Sequence, residues 1–264
     1  MKVVLKKIYR LIAKVYKTIA VPFWKGVCKI SRLFASFSHY RLFHAEWFFD
    51  SPENFDHDIN LYWYWGKSGI AHWLERGLYN ILAIQIFDKP KVVELCCGEG
   101  FNAKYFYSYV SENVYSCDFD KKAIHEAKKK YHSDNVVYNV KDIRYNLQED
   151  IYKSIGGGIT NIIWDTAIEH FTPTEIDSIM KVLYEMLKEK HGILSGHTIV
   201  ERLDGKSLEQ HEYEFKNKED LKRFFTPYFR NVTVFETIYK DRHNLYFWAS
   251  DGILPFSEDW EHWC

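Results

Sequence analysis

The chain of 264 residues is 47% hydrophobic and 27% charged, the balance of a globular protein with room for one well-buried domain and an extension. Its five cysteines (Cys28, Cys96, Cys97, Cys117, Cys264) are odd in number and form no C-x-x-C pair, which argues against a disulfide framework or a zinc site and fits a reducing compartment. The net charge of −1 hides an asymmetry: ten of the 35 Lys and Arg lie in residues 1–41, where there is no Asp or Glu. The remainder, with all 36 acids, is therefore clearly negative, and an acidic body argues against a nucleic-acid acceptor, whose phosphates call for a basic footprint.

Residues 1–50 read as a basic arm. At 100° per residue, Val4, Leu5, Ile8, Leu11, Ile12, Val15, Tyr16 and Ile19 share one helical face. Lys6, Lys7, Arg10, Lys14 and Lys17 share the opposite one, and Pro22 is expected to limit the helix. No apolar run approaches the length of a membrane span or a signal-peptide core. A Lys-rich face opposite an aliphatic one is the pattern of a helix lying in a membrane interface. The alternative is that the apolar face packs on the protein's own body. Residues 23–43 continue basic and aromatic. The expected location is cytoplasmic, with the arm able to meet the inner face of a membrane.

Residues 51–264 read as the main domain. After an acidic, turn-like stretch at 50–58 and the aromatic run 61–65, a helix is expected across 70–87, ending before Pro90. Strands are then expected at 91–96, 113–118, 135–140, 160–165 and 192–200. Helices fall between them at 101–110, 121–130 and 174–189, the last opened by Pro173. This alternation predicts an α/β, doubly wound, mostly parallel sheet. The last two strands, 231–239 and 244–250, are separated by four residues, enough for a hairpin and too few for a parallel crossover, so the sheet should end antiparallel. The aromatic share of 18% leaves two readings open, a ring-lined substrate site or ordinary packing.

The chemistry concentrates at VVELCCGEGFNA, 92–103. A strand feeds a glycine-containing turn and a helix, so that Gly98 and Gly100 let the backbone approach a ligand. Three acids accompany the turn: Glu94 in the strand end, Asp118 at the end of the next strand, and Asp142 after the third. Asp118 stands where a carboxylate can accept bonds from ribose hydroxyls. Gly98-x-Gly100-x-x-Ala103 also satisfies a dinucleotide fingerprint, so these residues alone fit a nicotinamide-dependent oxidoreductase equally well.

Over roughly residues 67–250 the chain resembles the class I S-adenosylmethionine-dependent methyltransferases, small-molecule or glycan type. Glu94-Leu95-Cys96-Cys97-Gly98-Glu99-Gly100 is similar to their acidic-x-Gly-x-Gly-x-Gly motif, with Cys96 where the first glycine usually stands. Ile168-Glu169-His170 is similar to a triplet that follows their fourth strand, and 185–188 with 192–194 to the approach to their fifth. The hairpin and the placement of Glu94 favour this family over the dehydrogenases. The resemblance implies S-adenosylmethionine as cofactor, held by Glu94, Cys96, Gly98, Gly100, Asp118, Phe119, Asp142 and Ile143. Asp118 would bind the ribose, Asp142 would take the adenine amino group, and Ile143 would flank the ring.

Methyl transfer is an in-line displacement, so acceptor groups belong beyond the ends of strands four and five. Asp165, His170, His197 and His211 are the candidates there. Asp165 is read as positioning the acceptor and His211 as the base, which a hydroxyl acceptor needs more than a free amine does. No metal is expected, because no ligand spacing supports one. The expected function is O-methylation of a small-molecule or glycan acceptor, also at a membrane surface. A nicotinamide-dependent oxidoreductase and a non-catalytic, membrane-associated cofactor-binding scaffold are the alternatives.

Overall fold

The computed structural model describes residues 16–49, 71–201, 210–239 and 242–256. The chain divides into two compact units, 1–74 and 75–264.

In the first unit a π turn, Tyr16–Ala20, runs into helix α1, Val21–Phe49. Pro22 therefore stands near the start of a helix rather than at its end. Proline is tolerated in a first turn, where its missing N–H has no intrahelical partner to lose, and a π turn lies directly before it. The expected aliphatic face of residues 4–15 lies outside the described residues; Tyr16 and Ile19, which continue it, are exposed. Along α1, Phe23, Ile30, Leu33, Phe34 and Phe37 are exposed on one arc, and Lys25, Lys29 and Arg32 flank it on one side, next to the exposed Val21 and Trp24. No helix among the described residues is long and apolar enough to cross a membrane.

The second unit carries a seven-stranded sheet. Its strands are β1 Lys91–Leu95, β2 Asn113–Asp118, β3 Val136–Val140, β4 Asn161–Asp165, β5 Ile193–Ile199, β6 Asn231–Tyr239 and β7 Arg242–Ser250. Their order across the sheet is β3-β2-β1-β4-β5-β7-β6. The first five are parallel, and β7 inserts antiparallel between β5 and β6, as the short hairpin connection requires. Strands β1, β2, β4 and β5 are buried almost throughout, which is why β1 and β4 carry unbroken apolar pairs and triplets such as Val92-Val93 and Ile162-Ile163-Trp164, while β2 and β5 bury Ser116, Ser195, His197 and Thr198 as well. The chain leaves β1 toward β2 on one side and returns to β4 on the other. That reversal opens a crevice at the carboxyl ends of β1 and β4.

Helices α2 Ala71–Ile84, α3 Lys121–Lys130, α4 Leu147–Ile155, α5 Pro173–Leu187 and α6 Lys218–Lys222 complete the unit. Asp120 caps α3, accepting from the Lys122 amide, and three lysines end it, matching both ends of the helix dipole. Thr172 and Glu175 form a capping box on α5, with Pro173 in its first turn. The expected helix at 101–110 ends in a π turn, Ala103–Tyr107. Helix α4 is absent from the sequence reading: its inward residues, Leu147 and Ile151, span a single turn, too little periodicity to register. Of the two readings of the aromatic content, packing is what the described rings show beside β5, β6 and β7. Tyr79, Phe235, Tyr246, Trp248 and Phe256 interlock there in one cluster.

Candidate functional site

The loop after β1 lies at the mouth of the crevice. Three of its positions have positive φ: Cys96 at 56°, Gly98 at 53° and Gly100 at 80°. Cys96 thus keeps the left-handed backbone of the glycine it replaces, at a cost of about 1–2 kcal/mol. The two glycines differ in role. A Cβ on Gly100 would come within 2.5 Å of the Tyr138 ring, so this glycine seats the turn against α3 and β3. A Cβ on Gly98 would meet nothing within 4 Å, so this glycine faces open space. Its amide donates to Asp118 Oδ2 at 2.9 Å, while Asp118 Oδ1 accepts the Asp120 amide at 2.9 Å. The ring of Phe119, next in the chain, is 74% exposed.

Glu94 is buried at the floor of the turn and accepts from Ser116 Oγ at 2.8 Å. Burial pushes its carboxyl up to about 8. Burial likewise raises the thiols of Cys96, Cys97 and Cys117 well above their ordinary range. Cys117 is buried and Cys96 and Cys97 are half-buried, and all three stay thiols rather than nucleophilic thiolates. Asp142 is held by Arg144, whose Nε lies 2.9 Å from Oδ1 and whose Nη2 lies 2.6 Å from Oδ2. That pairing keeps its carboxyl below the usual range. Arg144 also bridges to Glu175 at 3.0 Å, and Ile143 is buried between the two ion-paired residues. The open face of Gly98, the Asp118 carboxylate beside it and the exposed Phe119 ring fit an adenosine-bearing cofactor.

The carboxyl ends of β4 and β5 carry two polar clusters. In the first, Arg76 of α2 reaches Asp165, its Nε 2.7 Å from Oδ2 and its Nη2 on the same oxygen. Arg76 Nη2 also donates to Thr166 Oγ1 at 2.7 Å. His197, paired with Asp165 in the sheet register, places Nδ1 3.8 Å from Asp165 Oδ1 and Nε2 3.1 Å from Asn244 Oδ1. All four of Arg76, Asp165, His197 and Asn244 are buried. The adjoining Asn80 accepts from Ser195 at 2.8 Å and donates to the Tyr107 hydroxyl at 3.1 Å, which ties α2 to the sheet.

In the second cluster, Glu169, His170 and His211 come together. Glu169 is buried and accepts from Thr198 Oγ1 at 3.0 Å; desolvation raises its carboxyl. Its backbone carbonyl accepts the amides of Glu212 at 3.0 Å and Tyr213 at 3.1 Å. His170 Nδ1 lies 2.7 Å from the Gln210 carbonyl, and the His170 and His211 rings meet edge to face with centroids 5.2 Å apart.

The structure thus separates the four acceptor-side candidates into a buried pair, Asp165 with His197, and a second pair in which His170 is exposed and the His211 side chain is only 6% exposed. Sequence reasoning assigned no part to Arg76 or Asn244, whose partners lie 89 and 47 residues away. Glu169 was visible only as part of a triplet. A lone arginine in an amphipathic helix carries no signal of its own; an arginine among the otherwise apolar positions of α2 is the nearest thing to one.

Residues 92–190 match the family described as "Methyltransferase domain". No curated protein matches the chain by sequence. Among solved structures, the DhpI–SAH complex superposes with a TM-score of 0.52 at 14% identity, over 75% of this chain and 91% of that one. The N-methyltransferase NodS from Bradyrhizobium japonicum WM9 does so with a TM-score of 0.51 at 11% identity, over 69% and 97%. At such identities these two speak for the fold. Residues 92–190 thus form a methyltransferase domain, and the strand order and the glycine turn are those of the class I S-adenosylmethionine-dependent methyltransferase fold.

Proposed function

We propose that this methyltransferase transfers its methyl group to a hydroxyl of a small-molecule or glycan acceptor. The single observation that carries this reading is the Glu169–His170–His211 cluster beyond β4 and β5. An amine acceptor can react once it is aligned and unprotonated, whereas a hydroxyl needs help in losing its proton. A pair of imidazoles beside a buried carboxylate is equipment for that task, with His211 the residue nearest the role.

Bound S-adenosylmethionine supplies an electrophilic methyl on a sulfonium sulfur. The chain's own residues align and enclose it. Gly98 lets the backbone approach, and Asp118 accepts from the ribose hydroxyls. Asp142 and Ile143 border the adenine, Phe119 covers an open side, and Glu94 and Cys96 shape the turn beneath. The buried Arg76–Asp165–His197–Asn244 cluster acts as a rigid wall of the acceptor half, so Asp165 works as a positioning residue through that wall.

A carbon-13-methyl cofactor tests the acceptor. Incubated with the protein and with glycan, small-molecule and nucleic-acid fractions of the source cells, it should label the glycan or small-molecule fraction. The methyl carbon should resonate in the O-methyl region of the NMR spectrum. Labelled nucleic acid, or an N-methyl signal, would overturn the reading.

Residues 1–50 are proposed to hold the enzyme on an anionic membrane surface, with 51–264 as its methyltransferase domain. The exposed apolar arc of α1 and the cations flanking it support this, since apolar burial and attraction to anionic lipid add. Sedimentation with vesicles should show binding that rises with anionic lipid and weakens with salt. Deletion of residues 1–22 together with Ile30→Ser, Phe34→Ser and Phe37→Ser should remove it. Failure of the full chain to bind anionic vesicles at low salt would contradict the proposal.

A further inference from the structure

We propose that Glu169, His170 and His211 form a binding site for a first-row divalent metal ion. One ring nitrogen of each histidine and one carboxylate oxygen of Glu169 all lie within 4.8 Å of one another. Metal–ligand distances of about 2.0–2.2 Å need donors roughly 3–3.5 Å apart. Coordination would draw the three side chains together by about 1–2 Å.

The hydrogen bonds around the cluster already orient its donors. A carbonyl only accepts, so the 2.7 Å contact with the Gln210 carbonyl places the proton of His170 on Nδ1. Its Nε2 is left with a lone pair. An imidazole donating its other N–H to a backbone carbonyl is the arrangement that metal-binding histidines adopt. Thr198 Oγ1 engages one oxygen of Glu169 and so fixes the carboxylate plane. Glu214 sets a carboxylate oxygen 3.2 Å from His211 Nδ1, near enough for charge attraction but without hydrogen-bond geometry.

The backbone makes the meeting of these residues stable. The Glu212 and Tyr213 amides both donate to the Glu169 carbonyl, so the segment carrying His211 is anchored on the turn carrying the other two ligands. The separation of 41 positions from His170 to His211 explains why no ligand spacing shows in the sequence.

Two imidazoles and one carboxylate select zinc, manganese, iron, cobalt or nickel over magnesium or calcium, which prefer all-oxygen sites. Three protein ligands leave positions open for water or for an oxygen of the acceptor. The metal site stands on these residues alone; its place on the acceptor side rests on the proposed O-methyl transfer. With a cation bound, His211 serves as a ligand, and acidification of an acceptor hydroxyl no longer depends on an imidazole base.

Cobalt(II) titrated into the metal-stripped full chain provides the test. One equivalent should produce a visible d–d absorption band. His170→Ala and His211→Ala should each weaken cobalt binding at least tenfold, and the double variant should abolish the band. Calorimetry with S-adenosylmethionine on the same samples reports on the other half of the site and on folding. If His211→Ala does not fold, the exposed His170 decides the matter alone. Absence of a stoichiometric cobalt complex in the wild-type chain, or unchanged binding in the folded variants, overturns the metal site. Cobalt binding without any S-adenosylmethionine affinity would instead count against the cofactor-dependent reading and leave the metal site standing.

Discussion

The two halves of the crevice are built differently. The half proposed for the cofactor, at the ends of β1 to β3, comes from stretches near one another in the chain, and the half proposed for the acceptor does not. Gly98 and Asp118 meet directly, and Asp142 and Arg144 are two residues apart. The acceptor half, at the ends of β4 and β5, is assembled from distant pieces: Arg76 with Asp165, Glu169 with Thr198, His170 with His211. A local motif keeps one job across many enzymes because the cofactor does not change. An assembly of long-range contacts can be rebuilt piece by piece for a new acceptor without disturbing it.

The comparison breaks most easily at Arg76. Replacing it by alanine leaves Asp165 as a buried carboxylate without its strongest partner, a loss of about 3–5 kcal/mol of stability. Urea denaturation would measure it. A loss under 1 kcal/mol would mean that the pair is a surface-like contact and not a wall.

The glycines sharpen the contrast within the cofactor half. Gly100→Ala must push its Cβ toward the Tyr138 ring, at a positive φ, and should cost about 1–3 kcal/mol of stability. Gly98→Ala meets no protein atom and should cost about 1–2 kcal/mol, the left-handed backbone penalty alone. It should nonetheless reduce S-adenosylmethionine affinity more than Gly100→Ala does for the same loss of stability. Equal loss of affinity from both would show that Gly98 does not face the cofactor.

A pH dependence tests the floor of the turn. Below about 4.5 Glu94 is protonated in folded and unfolded chains alike. As pH rises from there to about 8, the unfolded chain releases this proton while the folded chain keeps it, so the Glu94 contribution to stability falls across that window and levels off above it. Glu94→Gln removes this dependence, and the variant should lose less stability than the wild type between pH 5 and pH 8. Parallel pH profiles of melting would refute the buried, protonated Glu94.

Legibility followed the same division. The strands were readable because parallel, doubly covered strands such as Ile162-Ile163-Trp164 are apolar without interruption, and the hairpin because four residues cannot make a crossover. The turn at 96–100 was readable as a pattern even though Cys96 breaks it, since a cysteine can hold the positive φ that the turn needs. Pro22 misled because proline forbids a helix interior and permits a helix start, and residue order alone does not say which applies. Nothing local marks Arg76 or the meeting of His170 with His211. Those contacts exist only after the sheet has brought β4, β5 and α2 together.

The most direct measurement is calorimetric affinity for S-adenosylmethionine in Asp118→Ala and His211→Ala, side by side with turnover on the identified acceptor. Asp118→Ala should lose charge-assisted ribose bonds of about 1.5–3 kcal/mol, on the order of ten- to hundredfold in affinity. His211→Ala should keep its cofactor affinity and lose turnover. Unchanged affinity in Asp118→Ala, or an equal loss of affinity in both variants, would contradict the division of the crevice into a cofactor half and an acceptor half.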